Sequence, residues 1–352
     1  MPQSRIFSGI QPSGELHIGN YLGAVKNWVA LQRQYESFFC IVDYHAITGP
    51  YQPDDLRRRT RDMVISLLAS GIDPSVCTLF IQSAVPEHTE LAWIFNTVTP
   101  LGELERQTQF KEKSARQESI LAGILNYPVL QAADILLYKA DLVPVGEDQV
   151  QHLELSREIA RRWNAKFDPS YAAALEARSG ASAESAENTS DAELVGFFPE
   201  PKPLLTPTRR IMGLDGQTKM SKSLGNTIGL LEEPKDIWDK LRPAMTDPAR
   251  VRKTDPGTPE ICNIYNLHKA FSDQSTVDHV AVQCRTAGWG CIDCKKVLFD
   301  AMDRELTPIR RRAKEIRANP SVIDEPLARG AEHARDIASA TMRDTKHMMG
   351  LT

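Results

Sequence analysis

Ile6-Phe7-Ser8-Gly9-Ile10-Gln11-Pro12-Ser13-Gly14-Glu15-Leu16-His17-Ile18-Gly19-Asn20 reads as a short apolar strand, a Gly/Pro turn and the opening of a helix near Gly19. A helix start presents free backbone N–H groups and the positive end of the helix dipole, a setting that suits a phosphate chain. His17 and Asn20 stand where side chains can join those N–H groups. Far downstream, Lys219-Met220-Ser221-Lys222-Ser223 places two lysines and two serines in a loop flanked by Gly213, Gly216 and Gly225. Ammonium groups on flexible stems in such a loop can follow a pyrophosphate as it leaves. Either stretch alone is a weak signal; together they describe a site that holds ATP from two sides.

Around the first stretch the chain alternates strand and helix signals. Phe38-Phe39-Cys40-Ile41-Val42 and Cys77-Thr78-Leu79-Phe80-Ile81 are apolar runs bounded by turn residues, the pattern of buried strands. Between them a helix starts at Pro53-Asp54-Asp55-Leu56 and runs toward Gly71. This rhythm predicts a Rossmann-like α/β domain, a parallel sheet with helices on both faces and ligands at the carboxyl ends of the strands, where the His17 and His45 segments fall. From Tyr171 to about Glu193, Ala, Ser and Glu dominate and little is available to bury. We expect a mobile surface insertion there, or else a short exposed helix. After about Leu231 helical patterns take over. Pro234 to Leu241 opens one helix, Leu298 to Ile316 reads as a long one, and the last thirty residues read as a terminal helix. The division is then 1–232 for the sheet domain and 233–352 for an all-helical domain.

The 352 residues, 41% hydrophobic and 25% charged, are enough for one large domain or two ordinary ones in a soluble globular protein. Met1-Pro2-Gln3-Ser4-Arg5 lacks the apolar core of a signal peptide and no apolar run reaches membrane-spanning length, so a cytoplasmic location is expected. The formal net charge of -4 gives no bulk attraction to nucleic acid. Contact with RNA would rest on local patches: Arg57-Arg58-Arg59 with Arg61, Arg209-Arg210, and Arg310-Arg311-Arg312 with Lys314 and Arg317. Each of these also reads as an ordinary solvated helix face.

The two phosphate stretches resemble the HIGH and KMSKS motifs of class I aminoacyl-tRNA synthetases. Four further segments are similar to tryptophanyl-tRNA synthetases: Phe7 to Gly14, Ile41-Val42-Asp43-Tyr44-His45-Ala46-Ile47-Thr48, Gly102 to Lys111, and Val143-Pro144-Val145-Gly146-Glu147-Asp148-Gln149. The resemblance runs from about Ile6 to the end, apart from the Ala/Ser/Glu stretch. It implies activation of tryptophan by ATP to tryptophanyl-adenylate, with release of diphosphate, then transfer to the 3′ end of tRNA-Trp. It further implies Mg²⁺, a homodimer, and a helical domain that reads the anticodon. His17, Asn20, Lys111, Lys113, Lys219 and Lys222 would surround the phosphates. Activation needs no enzyme nucleophile, so catalysis would be positioning plus stabilisation of developing charge. Gln11, Pro12, Ser13, Gly19, Ile211, Met220, Ser221 and Ser223 would complete the ATP site. Gly146, Glu147 and Asp148 would form the ribose turn, Asp148 accepting from the ribose hydroxyls. The same turn is equally an ordinary acidic helix cap.

For the amino acid, Tyr127, Gln131 and Asp134 share one helix face at i, i+4 and i+7. Asp134 among Ala, Ile and Leu would be an expensive buried charge without a donor, and the indole N–H is a suitable one. The resemblance assigns Asp134 that contact, with Phe7 and His45 beside it. Gln131 departs from many bacterial relatives, which carry methionine. Tyrosyl-tRNA synthetases also place Gln and Asp on this helix, so tyrosine specificity is the enzymatic alternative. A catalytically inactive iron–sulfur tRNA-binding paralogue is the other.

Four of the six cysteines, Cys262, Cys284, Cys291 and Cys294, fall in the helical region as C-x21-C-x6-C-x2-C. In a chain expected in the cytosol, that concentration points to a metal rather than disulfides. Structural zinc usually draws on two short-spaced knuckles, and only one C-x2-C is present. Four thiolates also suit a [4Fe–4S] cluster. The spacing resembles that of a subset of tryptophanyl-tRNA synthetases carrying such a cluster, with zinc the runner-up and unligated thiols the remaining alternative. Cys40 and Cys77 read as core residues.

Overall fold

In the computed structural model, which describes residues 3–108, 110–111, 120–146, 150–179, 194–205, 211–221 and 224–351, the first apolar run is the central strand. β1 (Arg5–Ile10) pairs in parallel with β2 (Glu36–Ile41), and β2 with β3 (Thr78–Ile81). On the other side of β1 lie β4 (Leu142–Val145) and β5 (Lys202–Leu205), giving the order β3-β2-β1-β4-β5. The first crossover carries α1 (Ile18–Asn20), a π-turn (Tyr21–Val25) and α2 (Lys26–Leu31). The second carries α3 (Asp43–Ala46) and α4 (Pro53–Ser70), which starts on Pro53 and stops at Gly71 in the left-handed region. Between β3 and β4 come α5 (Glu87–Asn96), α6 (Leu101–Arg106) and α7 (Ala122–Leu136). Between β4 and β5 come α8 (Val150–Phe167) and α9 (Pro169–Ser179). Chain order therefore reverses between β1 and β4, and the crevice at their carboxyl ends is the switch point where ligands bind in such sheets.

Strand β4 carries Pro144 and the edge strand β5 carries Pro203; proline usually argues against an inner strand. The β1–β4 register is limited to Ile6 opposite Leu142, so Pro144 has no bond to donate on that side. The stretch from Tyr171 is not irregular at its start. Residues 171–179 belong to α9, held by Asp168, whose carboxylate accepts from the N–H groups of Ser170 and Tyr171, and by the buried Tyr171 ring. The remainder, 180–193, lies outside the described residues.

The carboxy-terminal part is helical as expected: α10 (Pro234–Leu241), α11 (Asn263–Phe271), α12 (Gln274–Arg285), α13 (Cys291–Ala318) and α14 (Ser321–Met348). These helices do not stand apart from the sheet. Leu298, Met302 and Leu306 of α13 join one core with Trp28, Phe39, Met63 and Leu67. Ala334, Ala338 and Met342 of α14 join the opposite core with Phe38, Phe80, Leu91 and Phe95. α14 crosses the outer strand β3 so closely that a Cβ on Gly330 would overlap the Leu79 carbonyl. It covers an edge that would otherwise present unpaired backbone. Among the described residues no helix is long and apolar enough to cross a membrane.

Candidate active site

The turn after β1 leads into α1, whose cap His17 and first residue Ile18 are buried. Gly14 in that turn adopts φ 137°, a conformation costly for any side chain. His17 then caps α1: its Nδ1 accepts from Asn20 N–H at 3.3 Å, while Asn20 Oδ1 accepts from His17 N–H at 3.4 Å. The two polar residues of the first phosphate stretch are thus locked to one another. Ile18 N–H donates to Ile228 O at 3.0 Å and Leu230 N–H to Leu16 O at 2.7 Å, a backbone pairing that ties α1 to the strand leaving the lysine loop. A Cβ on Gly19 would stand 2.9 Å from His17 Nδ1 and 3.3 Å from Met220 Cβ. The two phosphate stretches meet at that glycine, as the sequence pairing predicts.

The lysine loop is held from within by two residues that carry no charge pattern in the sequence. Asp215 accepts from the N–H groups of Gln217 and Thr218, from the Thr218 hydroxyl and from Asn226. Hydrogen bonds from Asn226 and Thr218 lower its carboxyl to about 2. Asn226, buried, donates to Asp215 at 2.9 Å and accepts from Ser221 N–H at 2.8 Å. A Cβ on Gly213 would overlap the Asn226 amide. Lys219 is exposed on this frame and Met220 is buried beneath it, while Ile211 accepts the Met220 N–H at 3.3 Å. Lys222 and Ser223 lie outside the described residues, as do Lys113, Glu147 and Asp148. Lys111 is exposed beyond α6, and Gly146 directly follows β4 at the switch point; Gln11, Pro12 and Ser13 form the turn after β1.

The second half of the cleft is a buried polar knot around Asp134 of α7. His45 Nε2 donates to Oδ2 at 2.8 Å; Gln82 Nε2 and His88 Nδ1 donate to Oδ1 at 2.6 and 2.7 Å. Burial by itself would raise this carboxyl, but the hydrogen bonds from His45 and His88 outweigh it and hold it below its ordinary value. Asp134 is therefore an ionised acceptor. Tyr127 meets the His45 ring edge-on at 6.1 Å, and Gln131 is half-buried one turn before Asp134. Phe7 packs flat on Tyr138 at 5.6 Å. Sequence reading found Asp134 and His45 but not Gln82, His88 or Tyr138, which lie on other elements with no motif to flag them.

All four clustered cysteines line one cavity of about 20 Å³, together with Arg250 and Trp289. Cys291 and Cys294 stand in the first turn of α13, and Cys262 precedes α11. All are free thiols, and burial raises Cys262, Cys284 and Cys294, the last to about 12. Cys40 is fully buried in β2, while Cys77 lies half-buried just before β3. Among the described residues, no three His, Cys, Asp or Glu side chains are grouped so as to hold a single metal ion. The cavity wall is continuous with the lysine loop: Asn263, next to Cys262, donates to Gly213 O at 2.7 Å, and Met245 N–H donates to Leu214 O at 2.9 Å.

Most of the arginine patches pair with nearby carboxylates while staying at the surface. Arg57, Arg58 and Arg59 pair with Asp54 and Asp55, Arg61 with Asp324 and Arg317 with Asp62. Arg310 pairs with Asp303, Arg311 with Glu315 and Lys314 with Glu233, while Arg312 Nε donates to the Ala69 carbonyl. Arg209-Arg210 lies outside the described residues.

Comparison with known proteins agrees with this geometry. The family model for tRNA synthetases class I (W and Y) matches residues 2–307. The chain is 51% identical to the tryptophan–tRNA ligase of Deinococcus radiodurans over 99% of this chain and 98% of that one. It is 42% identical to that of Thermotoga maritima over 99% of each. Among solved structures, the tryptophanyl-tRNA synthetase of Campylobacter jejuni complexed with ADP and tryptophan superposes with a TM-score of 0.82 at 33% identity, covering 99% of this chain and all of that one. The tyrosyl-tRNA synthetase of Archaeoglobus fulgidus, at 22% identity and TM-score 0.63, shares the fold. With its two phosphate stretches meeting at Gly19 and its buried aspartate on α7, the chain belongs to the class I tRNA synthetases of the W and Y type, in their tryptophan–tRNA ligase branch.

Proposed function

We propose that this cleft activates L-tryptophan with ATP and then esterifies the 3′ end of tRNA-Trp. The meeting of α1 with the lysine loop at Gly19, in a chain that also holds a buried, ionised Asp134, is the observation that carries the reading. The tryptophan carboxylate attacks the α-phosphate and diphosphate leaves. His17, Asn20 and the closely approached backbone at Gly19 hold the triphosphate, and Mg²⁺ enters with it as part of the substrate. Lys219 and Lys222, with Lys111 and Lys113, follow the charge onto the departing diphosphate. Gly146, Glu147 and Asp148 receive the ribose. Asp134 takes the indole N–H, with Phe7, His45, Tyr127 and Gln131 around the ring. Binding through a committed hydrogen bond rejects phenylalanine strongly.

The helical part, 233–352, is assigned to the anticodon, and the active particle is assigned as a homodimer by likeness to the family. For the cysteine cavity we propose a [4Fe–4S] cluster held by Cys262, Cys284, Cys291 and Cys294. Two features fit that anionic group: four thiols on one cavity, and Arg250 Nε on its wall, buried with no hydrogen-bond partner among the described residues. The four thiolates would hold the cluster, and a zinc ion on the same four cysteines is the alternative. When bound, the cluster supplies a rigid four-point crosslink at the base of the lysine loop.

The activity test is active-site titration followed by charging of tRNA-Trp and tRNA-Tyr. One ATP consumed per site and esterification of tRNA-Trp alone support the reading; charging of tRNA-Tyr refutes it. Iron, sulfide and zinc analysis of anaerobically purified protein decides the cavity.

A further inference from the structure

Asp134 offers about four acceptor positions, two on each oxygen. Among the described residues, Oδ1 receives both Gln82 and His88, whereas Oδ2 receives only His45, so the spare position is on Oδ2. The donors on Oδ1 are fixed in direction. Gln82 Oε1 accepts from Tyr44 N–H at 3.1 Å, which turns its Nε2 toward Asp134. An ionised Asp134 accepts only, so His88 donates from Nδ1 and its Nε2 is left to accept the Tyr138 hydroxyl at 2.8 Å. Tyr138 is in turn clamped between Phe7 and Phe38, at 5.6 and 4.9 Å between ring centres. His88 and Tyr138 are fully buried.

We propose that His88, oriented by Tyr138, is a positioning residue that occupies Oδ1 of Asp134 and so presents Oδ2 to the indole N–H, making the site selective for a ring that carries that donor. The inference rests on the tryptophan reading of Asp134 given above. His88 touches neither substrate nor ATP; it acts by fixing the rotation of the carboxylate. Without it Oδ1 keeps one donor, and the carboxylate can turn so that neither oxygen stays aimed at the ring.

The test compares tryptophan with benzothienylalanine, in which sulfur replaces the indole N–H, by ATP–pyrophosphate exchange. The readout is the ratio of their kcat/KM values in the unaltered protein, His88→Leu, His88→Asn and Tyr138→Phe. His88→Leu is expected to lower the ratio about tenfold, the scale of one hydrogen bond to a charged group. The change falls on KM for tryptophan, with KM for ATP unmoved. His88→Asn keeps a donor near Nδ1 and restores most of the ratio; Tyr138→Phe lowers it about threefold. If His88→Leu slows both substrates equally, His88 only fills the core and the proposal fails. If His88→Leu does not fold, Tyr138→Phe decides: an unchanged ratio overturns the proposal and a lowered one supports it. A ratio near one in the unaltered protein would instead refute the Asp134–indole contact itself.

Discussion

Replacing Asn226 with alanine should loosen the lysine loop without touching the amino-acid site. The side chain accepts from Ser221 N–H at 2.8 Å and donates to Asp215 and to the Thr218 hydroxyl, each at 2.9 Å, and it is buried against Gly213. A buried amide bond contributes about 1 kcal/mol net. The bond to Asp215 is charge-assisted, but Asp215 is open to water, so it is discounted to about the same. Together about 2 kcal/mol of loop pre-organisation is lost, about a thirtyfold fall in kcat/KM for ATP if the loop must be ordered to hold the diphosphate. The assay is ATP–pyrophosphate exchange with ATP varied at saturating tryptophan, then tryptophan varied at saturating ATP. The expected result is a large loss in the first series and a KM for tryptophan within about twofold of the parent, since among the described residues Asp134 shares no hydrogen bond with the loop. A variant that folds normally yet keeps its ATP parameters would refute the claim that this internal frame holds the lysines in place.

The same frame sets a pH signature. Asp215, lowered to about 2 by Asn226 and Thr218, contributes stability that is present above its ordinary value of 3.8 and lost as pH falls through about 2. Carboxyl NMR should place its midpoint near 2 in the parent and nearer 3.8 in Asn226→Ala. Asn263→Ala removes the donor to Gly213 O and should raise KM for ATP several-fold, with little change in KM for tryptophan, measured by the same exchange. Gly330→Ala puts a methyl into the Leu79 carbonyl and should destabilise the protein by about 3 kcal/mol, read by urea unfolding. Cys294→Ser should lower iron content if the cavity holds the cluster, and leave it unchanged if the thiols are unligated.

What could be read from the chain and what could not divides along physical lines. The strand–turn–helix at Ile6 to Asn20 is written in consecutive residues, with Gly and Pro at the turn and a polar cap at His17, so its structure follows from local chemistry. The long helices α4, α13 and α14 were legible for the same reason. β4 and β5 were not, because Pro144 and Pro203 contradict strand propensity; β4 is allowed by its short pairing with β1 and β5 by its place at the sheet edge. The Asp134 knot was half legible. Asp134 stands out as a charge on an apolar helix face, but Gln82 and His88 reach it from β3's end and from α5, 52 and 46 residues away. No local period records such a contact. Asn226 and Asp215 look like loop polarity until the hairpin closes between Met212 and Lys219. The division at 232/233 was drawn from the change to helical patterns, and Leu298 and Ala334 beyond it share cores with the sheet. A change in secondary-structure type along the chain does not require a gap in packing.

The central claim is that Asp134 selects the amino acid while Gly19 and the lysine loop close on ATP. ATP–pyrophosphate exchange without tRNA, run separately with tryptophan, tyrosine and phenylalanine, tests both halves at once. Exchange with tryptophan alone is the predicted result; exchange with tyrosine, or with none of the three, would contradict it.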